Sequence, residues 1–216
     1  MKVIPVTIVT DTLCPWCYIG KKRFEKAAAN FKLLKGDQVE FKITYEPYQL
    51  DSTLPKTGKP KMEHYYKKFG QARTEQIIPY MKQVGSQEGI QFSYGGTIGN
   101  SLDSHRLIRY AGTLPNGSDA QDKLVNALYK SYFEEEKSLA DVQVLVDAAK
   151  VVGIDEKVVR DEIVGGDLLL KETLDAVENV RARGVRGVPH FTVGEKYEIS
   201  GAEEPDNFIK VFEKCL

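Results

Sequence analysis

The residue pattern predicts an α/β chain in which a strand–helix–strand segment at the start and a helix–strand–strand–helix segment at the end flank a long helical stretch. Three observations carry this. The apolar-rich run from Val3 to Thr10 leads into a stretch where Phe24, Ala27, Ala28 and Phe31 recur at helical spacing. Val39 to Tyr45 alternates apolar and polar residues, as a half-buried strand does. From about Met62 to Glu162 no convincing strand is legible, only helical segments punctuated by glycines and by Pro115-Asn116-Gly117.

Each element has a local reason. Val3 to Thr10 is the first strand, and Cys17 to about Leu34 the first helix, ended by Gly36 and Asp37. The second strand leads to Pro47, and the turn-rich stretch from Asp51 to Pro60 leaves the sheet. Ser138-x-x-Asp141 caps a helix whose apolar face is Val142, Leu145, Val146 and Ala149, with Gly153 as its stop. A helix from about Leu168 to Arg183 uses Leu170, Leu174, Val177 and Val180, and Gly184 ends it. His190 to Val193 and Tyr197 to Ser200 read as a hairpin around Gly194-Glu195, and Pro205 opens a last helix to about Lys214. Residues 1–50 and 168–216 are therefore expected to form one discontinuous domain, with residues 51–167 as an inserted all-helical domain.

At 216 residues the chain can bury a proper core without being two independent units. Its 42% hydrophobic and 28% charged content is ordinary for a globular protein. Thirty Lys and Arg against 31 Asp and Glu give a net charge of -1, and the absence of a long basic block argues against a nucleic-acid partner. The apolar runs are too short to cross a bilayer, and Met1-Lys2-Val3-Ile4-Pro5 lacks the features of a secretion signal, so a cytoplasmic location is expected. Three cysteines, two of them in one motif, agree with that compartment.

That motif is Cys14-Pro15-Trp16-Cys17, placed where the first strand hands over to the first helix. A sulfur at a helix N-terminus meets unpaired N–H groups and the positive end of the macrodipole, which favour a thiolate. Thiolate is the form that attacks disulfides, and such motifs lower the leading thiol from about 8.5 to as little as ~3.5. Cys14 is thus the expected nucleophile, with Cys17 one turn on as the resolving thiol. Pro15 suits the first turn because it has no N–H to lose. Half of a zinc site is the competing reading, but only Cys215, His64, His105 and His190 remain as further sulfur or imidazole ligands, with no second short-spaced pair, and no metal is expected.

A second feature lies far along the chain: Gly187-Val188-Pro189-His190-Phe191, followed by Thr192-Val193. Thioredoxin-type folds need such a turn, in which the residue before a cis-proline faces the dithiol and pairs its backbone with a substrate strand. A cis Val188–Pro189 bond is therefore expected, and Pro15, Trp16, Val188 and Pro189 are candidate substrate-binding residues.

Together with Asp11 to Gly20, the segments Asn100 to Leu107, Gly184 to Pro189 and Ser200-Gly201-Ala202 make the chain resemble the DsbA family of the thioredoxin superfamily, and within it the FrnE-like branch. The likeness spans nearly the whole chain. It implies a thioredoxin fold with a large inserted helical domain, and dimers are common among such relatives. Kappa-class glutathione transferases and 2-hydroxychromene-2-carboxylate isomerases are related in architecture, but usually carry serine where this chain has Cys14.

Other residues have both a functional and a bland reading. Trp16 either shields the dithiol and offers an aromatic surface, or packs against the insertion. His190 either stabilises the Cys14 thiolate or is a partly exposed strand histidine. His105 and Arg106 either line the cleft or serve a helix-terminus hydrogen bond and a pairing with Asp103. Lysines 56, 59, 61, 67 and 68 either attract an acidic ligand or form a solvated face. Cys215 is read as an incidental thiol near a terminus.

The expected function is thiol-disulfide exchange through Cys14 and Cys17, with a disulfide-containing protein or small thiol as substrate. No cofactor is required, and glutathione is a candidate co-substrate. A glutathione-dependent transferase or isomerase is the first alternative, and a non-catalytic binding protein on the same fold the second.

Overall fold

The computed structural model describes residues 1–216, the Asp37 side chain excepted. Strand β1 (Lys2–Thr10) leads through the dithiol into α1 (Pro15–Lys35), and β2 (Val39–Pro47) follows. After β2 the chain runs through β3 (Lys59–Pro60), α2 (Lys61–Phe69), α3 (Gln71–Gln87), β4 (Thr97–Ile98), α4 (Leu102–Ala111), α5 (Gly117–Phe133) and α6 (Val142–Lys150). A π-helical turn at Val158–Val164 precedes α7 (Leu170–Ala182), β5 (His190–Val193), β6 (Tyr197–Ser200) and α8 (Pro205–Glu213).

The main sheet has the order β2-β1-β5-β6. β1 pairs with β2 in parallel, from Lys2 opposite Val39 to Thr10 opposite Pro47. β1 pairs antiparallel with β5, setting Ile8 opposite Phe191 and Val9 opposite His190, and β5 continues into the antiparallel hairpin with β6. This is a thioredoxin fold carrying a helical insertion. The β5–β6 turn places both Gly194 and Glu195 at positive φ, the conformation a tight hairpin turn requires.

The core explains the register. Phe24 of α1 stacks on Phe191 and meets Phe41 and Phe208 edge to face, and Phe31 meets Phe212 edge to face, which locks α1 and α8 to the sheet. Tyr18 of α1 packs against Tyr129 and Phe133 of α5 and against Phe92, extending the same apolar core into the insertion. Lys21 is buried between the two, its Nζ pairing with Glu25 and, at 2.8 Å, with Asp122 of α5.

Four details differ from the sequence reading. The insertion is not wholly helical, because Lys59 pairs with Ile98 and Pro60 with Thr97 in a two-residue antiparallel ribbon. A ribbon so short shows no alternation, so periodicity does not reveal it. The N-cap of α6 is Asp141, whose carboxylate accepts from the Gln143 amide, while Ser138 accepts from Ala140 outside the helix. The buried face of α7 is Thr173, Val177 and Val180, and Leu174 is 42% exposed. Thr173 wins that place because its hydroxyl donates to the Leu169 carbonyl, which satisfies the hydroxyl without a distant partner. Finally, Lys61 is buried rather than solvated. Among the described residues, no helix is long and apolar enough to cross a membrane.

Candidate active site

Cys14 is the N-cap of α1, in extended conformation, and Pro15 is the first helical residue. Its amide donates to the Asp11 carbonyl at 3.0 Å, and its carbonyl accepts from the Cys17 amide at 3.0 Å, so the dithiol is clamped at both ends of one turn. Both sulfurs are free thiols. Cys14 is 4% exposed and Cys17 1%. Burial, and after it the hydrogen bond and charge of Cys14, push the Cys17 thiol well above the ordinary thiol range, against the smaller opposing pulls of Thr10 and the Asp11 backbone. Cys17 is therefore held as a thiol, and Cys14 is the more exposed sulfur of the two.

The Val188–Pro189 peptide bond is cis, and Cys14 Sγ donates to the Val188 carbonyl at 3.6 Å. Close approach of this loop depends on Gly20, where a Cβ would stand 2.7 Å from Pro189 Cγ and 3.3 Å from Ala202 Cα. Four candidate positions thus converge, with Cys14, Pro15, Trp16 and Val188 lining one cavity of about 400 Å³. Pro189 lines an adjoining, more polar depression with Arg183, Arg186, His190 and Ser200, and Gly187 and Val188 border both spaces.

The far wall of the cavity belongs to the insertion, with Leu54, Tyr65, Phe69, Ile77, Met81 and Ile98 as its main surfaces. Trp16 lines the cavity, and its ring centroid lies 6.4 Å from that of Tyr80 on α3. Tyr65 is pushed up to about 12 by burial, with the Cys14 charge adding to the effect, so it stays a phenol. His64 also faces the cavity, where burial and then the charges of Lys59 and Lys68 hold its imidazole below its ordinary value.

Two histidines sit elsewhere than the sequence suggested. His190 is buried rather than partly exposed, its Nδ1 lies 3.1 Å from Ser200 Oγ, and it lines the polar depression, not the cavity of Cys14. His105 neither lines the cleft nor caps a helix end. It is buried with Nε2 3.4 Å from Asp11 Oδ1, without the alignment of a hydrogen bond. Arg106 is structural: it pairs with Asp103 at 2.8 Å and donates to the Leu168 and Gly166 carbonyls at 2.9 and 3.0 Å, tying α4 to the π-helical segment and the start of α7. Cys215 packs against the Gly194 turn, and burial raises its thiol.

Sequence reasoning passed over Asp11, which is fully buried and accepts from the Leu13 amide at 3.2 Å and the Leu50 amide at 2.7 Å. It braces both the turn into the dithiol and the exit of the chain from β2. Thr10 was passed over as well: its hydroxyl is bonded to the Tyr129 hydroxyl and opposes the effect of burial on the Cys17 thiol. For Asp11 a signal existed, an acid three residues before the first cysteine in the local run; for Thr10 and Tyr129 none did.

Comparison with known proteins places the fold among similar chains. A probable DsbA oxidoreductase from Streptomyces coelicolor is 27% identical with a TM-score of 0.84, covering 98% of this chain and 89% of that one. The cytosolic disulfide reductase DsbM of Pseudomonas aeruginosa, in a structure with GSH, shares the fold at 14% identity and a TM-score of 0.62, covering 97% of this chain and 98% of that one. The Bacillus subtilis protein YwbO, itself uncharacterised, is 20% identical over 222 residues, which is 99% of this chain and 96% of YwbO. The family model of the DSBA-like thioredoxin domain matches residues 5–213, and the chain belongs to that family.

Proposed function

We propose that the protein is a thiol-disulfide oxidoreductase in which Cys14 is the nucleophile and Cys17 the resolving thiol. The observation that carries this is the asymmetry of the pair: Cys14 caps α1 at the edge of a cavity, while Cys17, one turn deeper, is kept protonated by burial and by Cys14 itself. The Cys14 thiolate attacks a substrate disulfide and forms a mixed disulfide, releasing the first half as a thiolate that takes a proton from solvent. Cys17 then gives up its proton and attacks the Cys14 sulfur, closing the Cys14–Cys17 disulfide, and the proton leaves with the second half. Two electrons pass to the substrate. Glutathione or another low-molecular-weight thiol restores the dithiol, two thiols being oxidised to one disulfide. The Val188 carbonyl, beside Cys14, supports a substrate-positioning role for the loop. We assign the reaction to the cytoplasm, on the ground that no cysteine pair is left over for a structural disulfide.

The test is an equilibrium titration of the dithiol in glutathione buffers, read by Trp16 fluorescence with the end states checked by mass. A clean two-electron transition is expected. A potential near about -120 mV marks an oxidant and one near about -270 mV a reductant. No transition, or glutathione binding that survives Cys17→Ser with full transferase activity, overturns the reading.

A further inference from the structure

Disulfide exchange leaves the substrate's chemistry open, and the cavity in front of Cys14 narrows it. With Cys14 4% exposed, a sulfur reaches it by entering the cavity rather than by lying across the surface. The volume of about 400 Å³ falls within the range of small-molecule sites. Leu54, Ile77, Met81 and Ile98 give its walls an aliphatic character, and Trp16 and Tyr65 add aromatic faces. Apolar surface of the lining is itself open to solvent, Leu50 and Phe69 being 47% and 42% exposed, and Tyr80, beside Trp16, is 54% exposed. A polypeptide entering such a space would bury peptide groups against walls that offer them few partners, and each unpaired group costs free energy. An apolar organic group enters without that cost.

On the footing of the thiol-disulfide reading, we propose that the preferred substrate is a low-molecular-weight disulfide with one bulky apolar half, aliphatic or aromatic. That half fills the cavity against α2 and α3 while its sulfur meets Cys14. The chemistry is the exchange already written: the Cys14–sulfur bond forms as the substrate S–S bond breaks, Cys17 displaces the retained half, and the apolar thiol leaves with the proton of Cys17.

The experiment is single-turnover oxidation of the reduced protein, followed by Trp16 fluorescence, with three probes. These are the mixed disulfide of benzyl mercaptan and 2-mercaptoethanol, bis(2-hydroxyethyl) disulfide, and insulin. Each rate is divided by that of the same probe with free dithiothreitol, which removes differences in intrinsic reactivity. A preference of about tenfold or more for the benzyl probe over the hydroxyethyl probe is expected from burial of the ring. Ile78→Phe, which takes up space in the cavity, and Ile77→Glu, which charges its wall, should each abolish most of that preference. Because every probe reaches Cys14 through the same cavity, the readout is the ratio of benzyl to hydroxyethyl rates within each variant, with iodoacetamide labelling of Cys14 measured alongside to report any general change of access. Equal normalised rates for the two small probes, or a preference for insulin that both substitutions leave intact, overturns the substrate assignment while the oxidoreductase reading stands. If iodoacetamide labels Cys14 but no probe oxidises the pair, the oxidoreductase reading itself falls, and the assignment with it.

Discussion

Gly20 and Pro189 approach so closely that a single methyl group does not fit between them: a Cβ on Gly20 would lie 2.7 Å from Pro189 Cγ. The second turn of α1 and the cis-proline loop are thereby in direct register, and that register sets where the Val188 carbonyl stands relative to Cys14.

Gly20→Ala is therefore expected to force the loop or the helix aside. Overpacking of this kind costs about 1–3 kcal/mol. Thermal melting should show a lowered Tm, and iodoacetamide labelling of Cys14 should change in rate because its Val188 partner has moved. An unchanged Tm together with an unchanged labelling rate would mean that the contact relaxes freely.

The two thiols should separate by pH. Burial and the Cys14 charge raise Cys17 well above the ordinary thiol value, so alkylation of the reduced native protein at neutral pH should modify Cys14 and leave Cys17 untouched until strongly alkaline conditions or unfolding. Peptide mass mapping at pH 7 and pH 10 checks this. Cys17→Ser should accumulate a mixed disulfide on Cys14, and Cys14→Ser should form none.

Lys61 offers a linkage measurement. Burial holds its ammonium down to about 8, and its Nζ reaches the Tyr132 carbonyl at 3.2 Å above that residue's ring. An unfolded lysine titrates near about 10.4, so as pH falls from there to about 8 the unfolded chain takes up a proton first and wild-type stability drops relative to a variant without the group. Lys61→Met should be neutral or stabilising by up to about 1 kcal/mol near neutral pH. The advantage of the variant should shrink as the pH is raised from 8 to 10.5, read from denaturation midpoints at each pH.

Asp11 should matter more than its absence from the exchange chemistry suggests. Removing its carboxylate leaves the Leu13 and Leu50 amides without their acceptor. Asp11→Ala is expected to cost about 2–4 kcal/mol, since hydrogen bonds to charged acceptors are among the stronger ones. Asp11→Asn should recover part of the loss, because its carbonyl oxygen still accepts. Chemical denaturation of both variants measures it.

What the sequence disclosed and what it withheld divide along sequence separation. The dithiol, the Val188–Pro189 turn, the β5–β6 hairpin and the start of α8 are written in contiguous residues whose turn and cap chemistry is local, and all were legible. The cavity's far wall was not. Tyr65, Ile77 and Met81 look like ordinary helical apolar positions until α2 and α3 are laid across Cys14. Leu174 and Thr173 show the same limit from the other side: periodicity marked the leucine as core, but a local hydroxyl bond let the threonine turn inward. Asp11 with His105, and Thr10 with Tyr129, are pairings between the sheet and the insertion that no run of neighbouring residues encodes.

The nucleophile is held by the β1–α1 junction, whereas the opposite wall of its cavity is built by α2 and α3. Under the proposed function, redox strength rests chiefly on the β1–α1 stretch and substrate choice chiefly on α2 and α3, two separate parts of the gene. Mutation can redraw the recognition surface of α2 and α3 without disturbing the electron-transfer couple, which makes this architecture readily diversified by natural drift or by laboratory selection.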